Sequence, residues 1–63
     1  MSDIDIMIQW LAEKITEKHC KIIKYDPELY QENYAITYQK IYELLTTKYQ
    51  KQAIQYLIKN NLI

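Results

Sequence analysis

The chain has 63 residues with eight lysines, no arginine and eight acidic side chains, so its formal net charge is zero. This length supports one domain at most, residues 1–63, with a thin core. Zero charge without arginine argues against sequence-specific nucleic-acid recognition, and a single cysteine and a single histidine argue against an internal disulfide and a metal site. Self-association remains as a source of extra stability, so we expect a homodimer.

The first predicted helix begins at Ser2 or Asp3, either of which can cap its free backbone N–H groups, and Asp5 adds negative charge near its positive end. Residues at alternating spacings of four and three then form a heptad-like seam, which one lysine interrupts. The seam comprises Ile4, Ile8, Leu11, Ile15, Lys18 and Ile22.

The start of the second helix is the clearest local signal in the sequence. Asp26 suits the N-cap, Pro27 suits the first helical position, and Glu28 adds charge to the first turn. Tyr25 before the cap and Tyr30 after it are spaced for a hydrophobic staple. With no glycine or further proline, this helix is predicted to continue into the 40s.

Tyrosines recur at every fourth position of the second helix and span roughly 120° of its surface. We interpret this stripe as the buried face of an amphipathic helix, on which Ile41, Leu44, Leu45 and Tyr49 also project. Tyrosine suits a place where the ring is buried and the hydroxyl reaches water or a partner. The stripe comprises Tyr30, Tyr34, Tyr38 and Tyr42.

The apolar pattern changes phase near residues 46 to 50, which predicts a bend or break. Thr47 and Gln50 have the spacing of a capping box, so a third helix is predicted from Lys48 to about Lys59, with one long curved helix as the alternative. Asn60 and Asn61 can end it in the left-handed conformation, leaving Leu62 and Ile63 as an apolar tail. The fold class is all-α: a small three-helix bundle, or a helical hairpin plus a short third helix, that dimerises.

Helix one also carries apolar residues away from its seam. Ile6, Met7 and Trp10 fall outside it, with Ile6 and Trp10 more than about 100° from its centre. Two explanations stay open. Helices two and three can each cover one face of helix one, or these three residues project onto a partner or a twofold mate, with Trp10 as the anchor.

Catalytic residues are not expected. His19 and Cys20 point about 100° apart on a helix and lack a third group to orient the histidine, so we interpret them as a semi-buried structural histidine and an incidental thiol. The carboxylate pairs are typical of solvated helix surfaces, and a chain without glycine has no phosphate-binding loop. These pairs are Asp3/Asp5, Glu13/Glu17 and Glu28/Glu32. We expect no enzyme, cofactor or small-molecule substrate.

Four lysines toward the end of helix one form the candidate nucleic-acid surface, with Tyr25 placed to stack a base. On the sequence they spread around the helix and are offset by Glu13 and Glu17, which favours an ordinary solvated face. The four are Lys14, Lys18, Lys21 and Lys24.

No apolar run approaches the roughly 18 residues of a membrane-spanning helix, and the acidic start MSDIDIM is unlike a secretory signal, so a cytoplasmic protein without membrane contact is expected. We expect a non-enzymatic protein-interaction module, a regulator or inhibitor that occludes a protein partner, of the kind that phages and other mobile elements encode. The alternatives are a helix-turn-helix-like DNA-binding regulator built from helices two and three, and a structural oligomerisation subunit. The predicted contact residues are Ile6, Met7, Trp10, Tyr30, Tyr42 and Tyr49.

Overall fold

A computed structural model describes residues 3–62 and contains three α-helices in that range, without a β-strand. They are α1 (Asp3–Cys20), α2 (Pro27–Thr46) and α3 (Gln50–Lys59), with one turn of 3₁₀ helix, Lys21–Ile23, after α1. The predicted all-α class with three helices is confirmed. Ser2, the alternative cap of α1, lies outside the described residues.

The start of α2 is as predicted. Asp26 has extended dihedral angles and its Oδ1 accepts a 3.2 Å hydrogen bond from the backbone N–H of Leu29, while Pro27 occupies the first turn. This bond satisfies one of the N–H groups that a helix start leaves without a partner. Tyr25 is 80% exposed, so the predicted staple with Tyr30 buries little of its ring.

α2 and α3 are separate helices, as the phase change indicated, but the predicted capping box is wrong. The Thr47 hydroxyl points back and donates a 2.6 Å hydrogen bond to the carbonyl oxygen of Glu43, within the last turn of α2. α3 therefore begins at Gln50, two residues after the predicted Lys48, with Tyr49 at its N-cap and no side-chain cap. The Tyr49 N–H closes the turn on the carbonyl oxygen of Leu44 at 2.8 Å.

The end of α3 is a Schellman motif. Asn61 has a φ of 56°, the predicted left-handed conformation. Its N–H donates to the carbonyl oxygen of Ile58 at 3.0 Å, and the N–H of Leu62 donates to that of Leu57 at 2.8 Å. Leu62 packs against the core instead of forming a free tail, and Ile63 lies outside the described residues.

The core is small and receives side chains from all three α-helices. Around its buried residues pack partly buried side chains that include Tyr38 and Tyr42 of α2 and Leu62 after α3. The molecule measures 35 × 20 × 20 Å, so no part of it lies far from water. The buried core comprises Ile8, Leu11, Ala12, Leu45, Ala53 and Leu57.

The predicted seam of α1 is only partly buried. Ile8 and Leu11 lie in the core, but Ile15 is 37% exposed and Ile22 is 82% exposed. The reason is the length of α3. Its 10 residues span about 15 Å, whereas the 18 residues of α1 span about 27 Å, so α3 covers only part of the seam.

A row of small residues is buried on α1 in place of the distal seam. Ala12, Thr16 and Cys20 lie one turn apart and are each less than 5% exposed. Small side chains allow a second helix to approach closely, and α2 is the main packing partner of α1. We infer that this row seats α2, whose own side chains in the stripe are large.

Candidate functional surfaces

Ile6 and Trp10 form an exposed apolar surface on α1, the Trp10 face. Ile6 is 50% exposed and Trp10 is 37% exposed. The Lys14 ammonium lies 5.8 Å from the centre of the Trp10 ring, a cation–π distance. Ile6 lines a depression of about 320 Å³ beside Asp3. The surroundings of the Trp10 face therefore contain charges of both signs.

Met7, which the sequence grouped with Ile6 and Trp10, has a different position. It is only partly exposed and packs against the core. Of the two explanations left open for these residues, covering by the other helices applies to Met7. For Ile6 and Trp10 the second explanation, contact with a partner or a twofold mate, stays open.

The four tyrosines of α2 form a column of neighbouring rings, the tyrosine ladder. Successive ring centroids are 5.7, 6.3 and 6.1 Å apart, and the second and third pairs are nearly parallel. All four side chains are half-buried, and Tyr38 and Tyr42 pack against the core. The ladder thus lies at the rim of the core, as expected for rings that are buried while their hydroxyls reach water. Leu45 is the buried residue of α2.

The middle of the ladder is electrostatically coupled to α1. Burial raises the pKa of Tyr34 and of Tyr38 above 10.0, and the nearby Glu13 carboxylate raises both further. Glu17 adds to the effect on Tyr34. Both causes disfavour the phenolate, so these hydroxyls stay protonated at neutral pH.

A groove between α1 and α3, the Ile15 groove, is a concave surface with an almost wholly apolar lining. It has a volume of about 290 Å³. Ile15, Tyr49 and Tyr56 line it and are 37%, 41% and 50% exposed. Buried core residues form the rest of its floor together with one glutamine. Those further lining residues are Leu11, Leu45, Gln52 and Ala53.

A second concave surface, the Ile22 depression, adjoins this groove at Ile15. It has a volume of about 580 Å³ and follows α1 beyond the reach of α3 to Ile22. Lys18, His19 and Lys21 complete its lining. The two surfaces together follow the distal half of the predicted seam.

His19 and Cys20 differ from the sequence interpretation. His19 is exposed, not semi-buried, and Cys20 is a buried free thiol on the row of small residues. Both differences have one cause, because the buried face of α1 contains Cys20 and not the distal part of the predicted seam. The two side chains lie on different sides of the helix, as predicted.

The four lysines are gathered, not spread. Lys14, Lys18, Lys21 and Lys24 all line a depression of about 540 Å³, which we call the lysine cluster. Tyr30 and one carboxylate, Glu17, complete the lining, with the Glu17 oxygen 3.9 Å from Nζ of Lys14. The prediction that these lysines spread around the helix is therefore wrong, because spacings of three and four residues keep them on one side of α1 and of the turn that follows it. The expected offset by an acidic residue is present at Glu17.

The predicted contact residues do not share one surface. Trp10 and Ile15 lie about 140° apart on α1, so the Trp10 face and the Ile15 groove have different orientations. Tyr49 belongs to the groove, whereas Tyr30 and Tyr42 are the ends of the tyrosine ladder. The sequence pattern placed Ile15 and Ile22 on the apolar seam but indicated neither of them, nor Tyr56, as a contact residue. The shortness of α3 was the available signal, since it leaves the distal seam uncovered.

Within residues 3–62 there is no group of three or more histidine, cysteine, aspartate or glutamate side chains placed to hold a metal ion. In the same range no helix combines the length and the apolarity needed to cross a bilayer. Every buried side-chain nitrogen or oxygen described has a hydrogen-bond partner.

Comparison with known proteins does not assign the chain to a family. No protein-family model matches it, and no curated protein and no solved structure is significantly similar to it. Its function is therefore inferred from three features: the Trp10 face, the surface formed by the Ile15 groove and the Ile22 depression, and the lysine cluster.

Proposed function

We propose that this protein is a small non-enzymatic interaction module, a regulator or inhibitor that binds another protein and occludes the surface it covers. The observation that carries the proposal is the size of its own surface. The chain exposes 5082 Å², whereas a monomeric protein of 7.7 kDa exposes about 4,300 Å². The excess of about 750 Å² approaches the roughly 800 Å² that each partner buries in a standard interface.

The shape of the chain supports the same conclusion. Its radius of gyration is 12.5 Å, whereas about 10.6 Å is typical of a compact domain of this length. Twelve large apolar side chains among the described residues are exposed, from 37% to 82% of their surface. Three of them, Ile15, Tyr49 and Tyr56, share the Ile15 groove. Monomeric proteins seldom leave large contiguous apolar surface uncovered, so this grouping favours a protein that works in a complex.

The two apolar surfaces of α1 suit different occupants. In a twofold dimer each patch meets a copy of itself. The Trp10 face has a cation, Lys14, and an anion, Asp3, nearby, so two copies can pair without net repulsion. We assign the Trp10 face to a homodimer, in which Trp10 is the anchor residue. The other apolar surface of α1, formed by the Ile15 groove and the Ile22 depression, is assigned to the protein partner.

Site-specific photo-cross-linking in cells that produce the protein tests this proposal. We expect a photoreactive residue at position 10 to give an adduct of twice the chain mass, and one at position 22 to give an adduct with a different protein. The same residue at Gln39, an exposed polar position on α2, is the matched control and is expected to give neither. Absence of adducts from positions 10 and 22 would contradict the proposal.

Light scattering separates the two interfaces. Replacing Trp10 by alanine is expected to reduce the molar mass to that of the monomer while helicity, measured by circular dichroism, is kept. If the variant unfolds, Trp10 belongs to the core. If the wild-type chain is a strict monomer at every concentration, the homodimer is excluded and both surfaces are free for another protein.

A second candidate function is nucleic-acid binding, which the gathering of the lysine cluster favours. Four ammonium groups beside Tyr30 suit a phosphate backbone with one stacked base. The turn between α2 and α3 has no glycine, and the chain has no arginine, both of which argue against a helix-turn-helix. Binding to random duplexes and single strands that falls steeply with salt would support this candidate, and absence of binding at low salt would exclude it.

A third candidate is a structural subunit whose role is oligomer assembly alone. It predicts the position-10 adduct without any adduct from position 22.

A further inference from the structure

We propose that the Ile15 groove and the Ile22 depression together bind an acidic amphipathic helix of the partner protein. This inference rests on the proposed function and specifies the surface and the chemistry of the partner. Its starting point is that the two concave surfaces share Ile15 and so form one continuous apolar track along α1.

The length of the track selects the kind of segment that fits it. From Leu11 to Ile22 the track extends about 17 Å, the length of about three turns of α-helix. In the Ile15 groove the floor consists of apolar side chains from all three helices and one glutamine, with Tyr49 and Tyr56 as one wall. An amphipathic helix binds such a groove through apolar residues at positions i, i+3 or i+4, and i+7.

The charges around the track select the partner's polar face. None of the residues that line the groove or the depression is acidic, and Lys18 and Lys21 line the depression. The same two lysines also belong to the lysine cluster, which has Glu17 as its one carboxylate. In a chain with zero net charge, this apolar track therefore has a positive flank, which complements acidic residues beside the apolar stripe of the bound helix.

The same charges argue against a second copy of this surface as the occupant. A twofold contact would place Lys18 and Lys21 of one chain near the same residues of the other, and like charges across an interface are unfavourable. Nucleic acid would be attracted by the lysines but would leave the apolar side chains of Ile15 and Ile22 without apolar contacts.

A synthetic peptide is the probe for this inference. It is a labelled amphipathic helix of about four turns, with leucines in one stripe and glutamates beside it. A second peptide has lysine at every glutamate position, and a third has the first composition in scrambled order. We expect the full-length chain to bind the first peptide in fluorescence anisotropy at least tenfold more tightly than either control, with an affinity that decreases as salt is added.

Variants of the chain locate the site. Ile15→Glu is expected to weaken binding at least tenfold, and Ile36→Glu, at a 58% exposed position on α2, is the matched control that leaves it unchanged. The double variant K18E/K21E is expected to lose the glutamate peptide and to gain the lysine peptide. This exchange of preference cannot come from unfolding, so it remains decisive if Ile15→Glu fails to fold.

Four results would overturn the inference. They are equal binding of the glutamate and scrambled peptides, absence of binding up to about 1 mM, unchanged peptide preference in K18E/K21E, and a dimer that Ile15→Glu dissociates while Trp10→Ala does not. The last result would assign the track to a second copy. If position 22 still cross-links a partner in K18E/K21E, the interaction module stands and only the acidic helix fails; if no position cross-links, the proposed function fails, whatever the peptides do.

Discussion

The hydroxyl of Thr16 donates a 2.6 Å hydrogen bond to the carbonyl oxygen of Ala12, at a point of α1 where neither residue is exposed to water. The bond stays within one turn of one helix. It satisfies a hydroxyl that α2 would otherwise bury without a partner, which makes the burial possible but adds little net stability.

Replacing Thr16 by valine is therefore expected to change the free energy of unfolding by less than about 1 kcal/mol, because valine keeps the shape and removes the group that needs a partner. Thr16→Ser keeps the hydroxyl and leaves a small cavity, at a cost of about 1 kcal/mol. Urea unfolding of the two variants measures which of them loses more free energy of unfolding. A Thr16→Val loss of several kcal/mol would show that the hydroxyl itself holds the helix.

Leu57 of α3 is fully buried, and Ile58 beside it is 57% exposed. Leu57→Ala is expected to cost about 2–5 kcal/mol, through lost burial and the cavity it leaves. A core of this size supplies only about 3–5 kcal/mol in total, so the variant should lose most of its stability and unfold at a much lower temperature. Ile58→Ala is the neighbouring control and should stay within about 0.5 kcal/mol of the wild type. Similar losses in both variants, measured by thermal unfolding, would place α3 differently.

The N-cap of α2 gives a third prediction. Asp26→Ala removes the acceptor of the Leu29 N–H and is expected to cost about 1 kcal/mol. Asp26→Asn retains a capping oxygen and should lose much less. If alanine and asparagine are equally destabilising in urea, the charge of Asp26 matters more than its hydrogen bond.

The pKa of Tyr34 and of Tyr38 predicts how stability depends on pH. Both values are raised above 10.0 in the folded chain, by burial first and then by the Glu13 carboxylate. The stability tied to these two phenols is thus present in full below about pH 10 and is lost as the pH rises through the folded-state pKa. Alkaline unfolding followed by circular dichroism should therefore shift to higher pH in the variant Y34F/Y38F.

Two variants separate the causes of this shift. Glu13→Gln is expected to lower the pKa of both tyrosines, and Glu17→Gln that of Tyr34 alone. The measurement is a titration of each phenol by NMR. Equal effects of the two variants on Tyr38 would contradict the arrangement of α1 against α2.

Features set by a few neighbouring residues were predictable from the sequence. Asp26 and Pro27 start α2 where expected, and Asn61 ends α3 in the left-handed conformation. Each depends on backbone chemistry within one turn. Thr47 shows the limit even here, because its hydroxyl could accept from the N–H of Gln50 ahead of it or donate to the carbonyl oxygen of Glu43 behind it, and the sequence does not rank the two. In the structure it donates to Glu43.

Features that depend on how helices approach one another were less predictable. The seam was chosen by hydrophobicity, which favoured Ile15 and Ile22, whereas burial on α1 follows the small side chains at Thr16 and Cys20. Side-chain size decides which face of α1 is buried, because the large side chains of the tyrosine ladder on α2 need small side chains opposite them. The Ile15 groove could not be predicted from the apolar pattern either, because its shape depends on where α3 lies in space and where it ends.

The tyrosine ladder gives α2 an optical signature. Its ring centroids lie 5.7, 6.3 and 6.1 Å apart, and chromophores at such separations share their electronic excitation. The near-ultraviolet circular dichroism of the folded chain should then contain a coupled tyrosine band beside the signal of its single tryptophan. A ligand that tilts one ring would alter that band while the far-ultraviolet spectrum stays constant, so the protein reports movements along α2 without any added label.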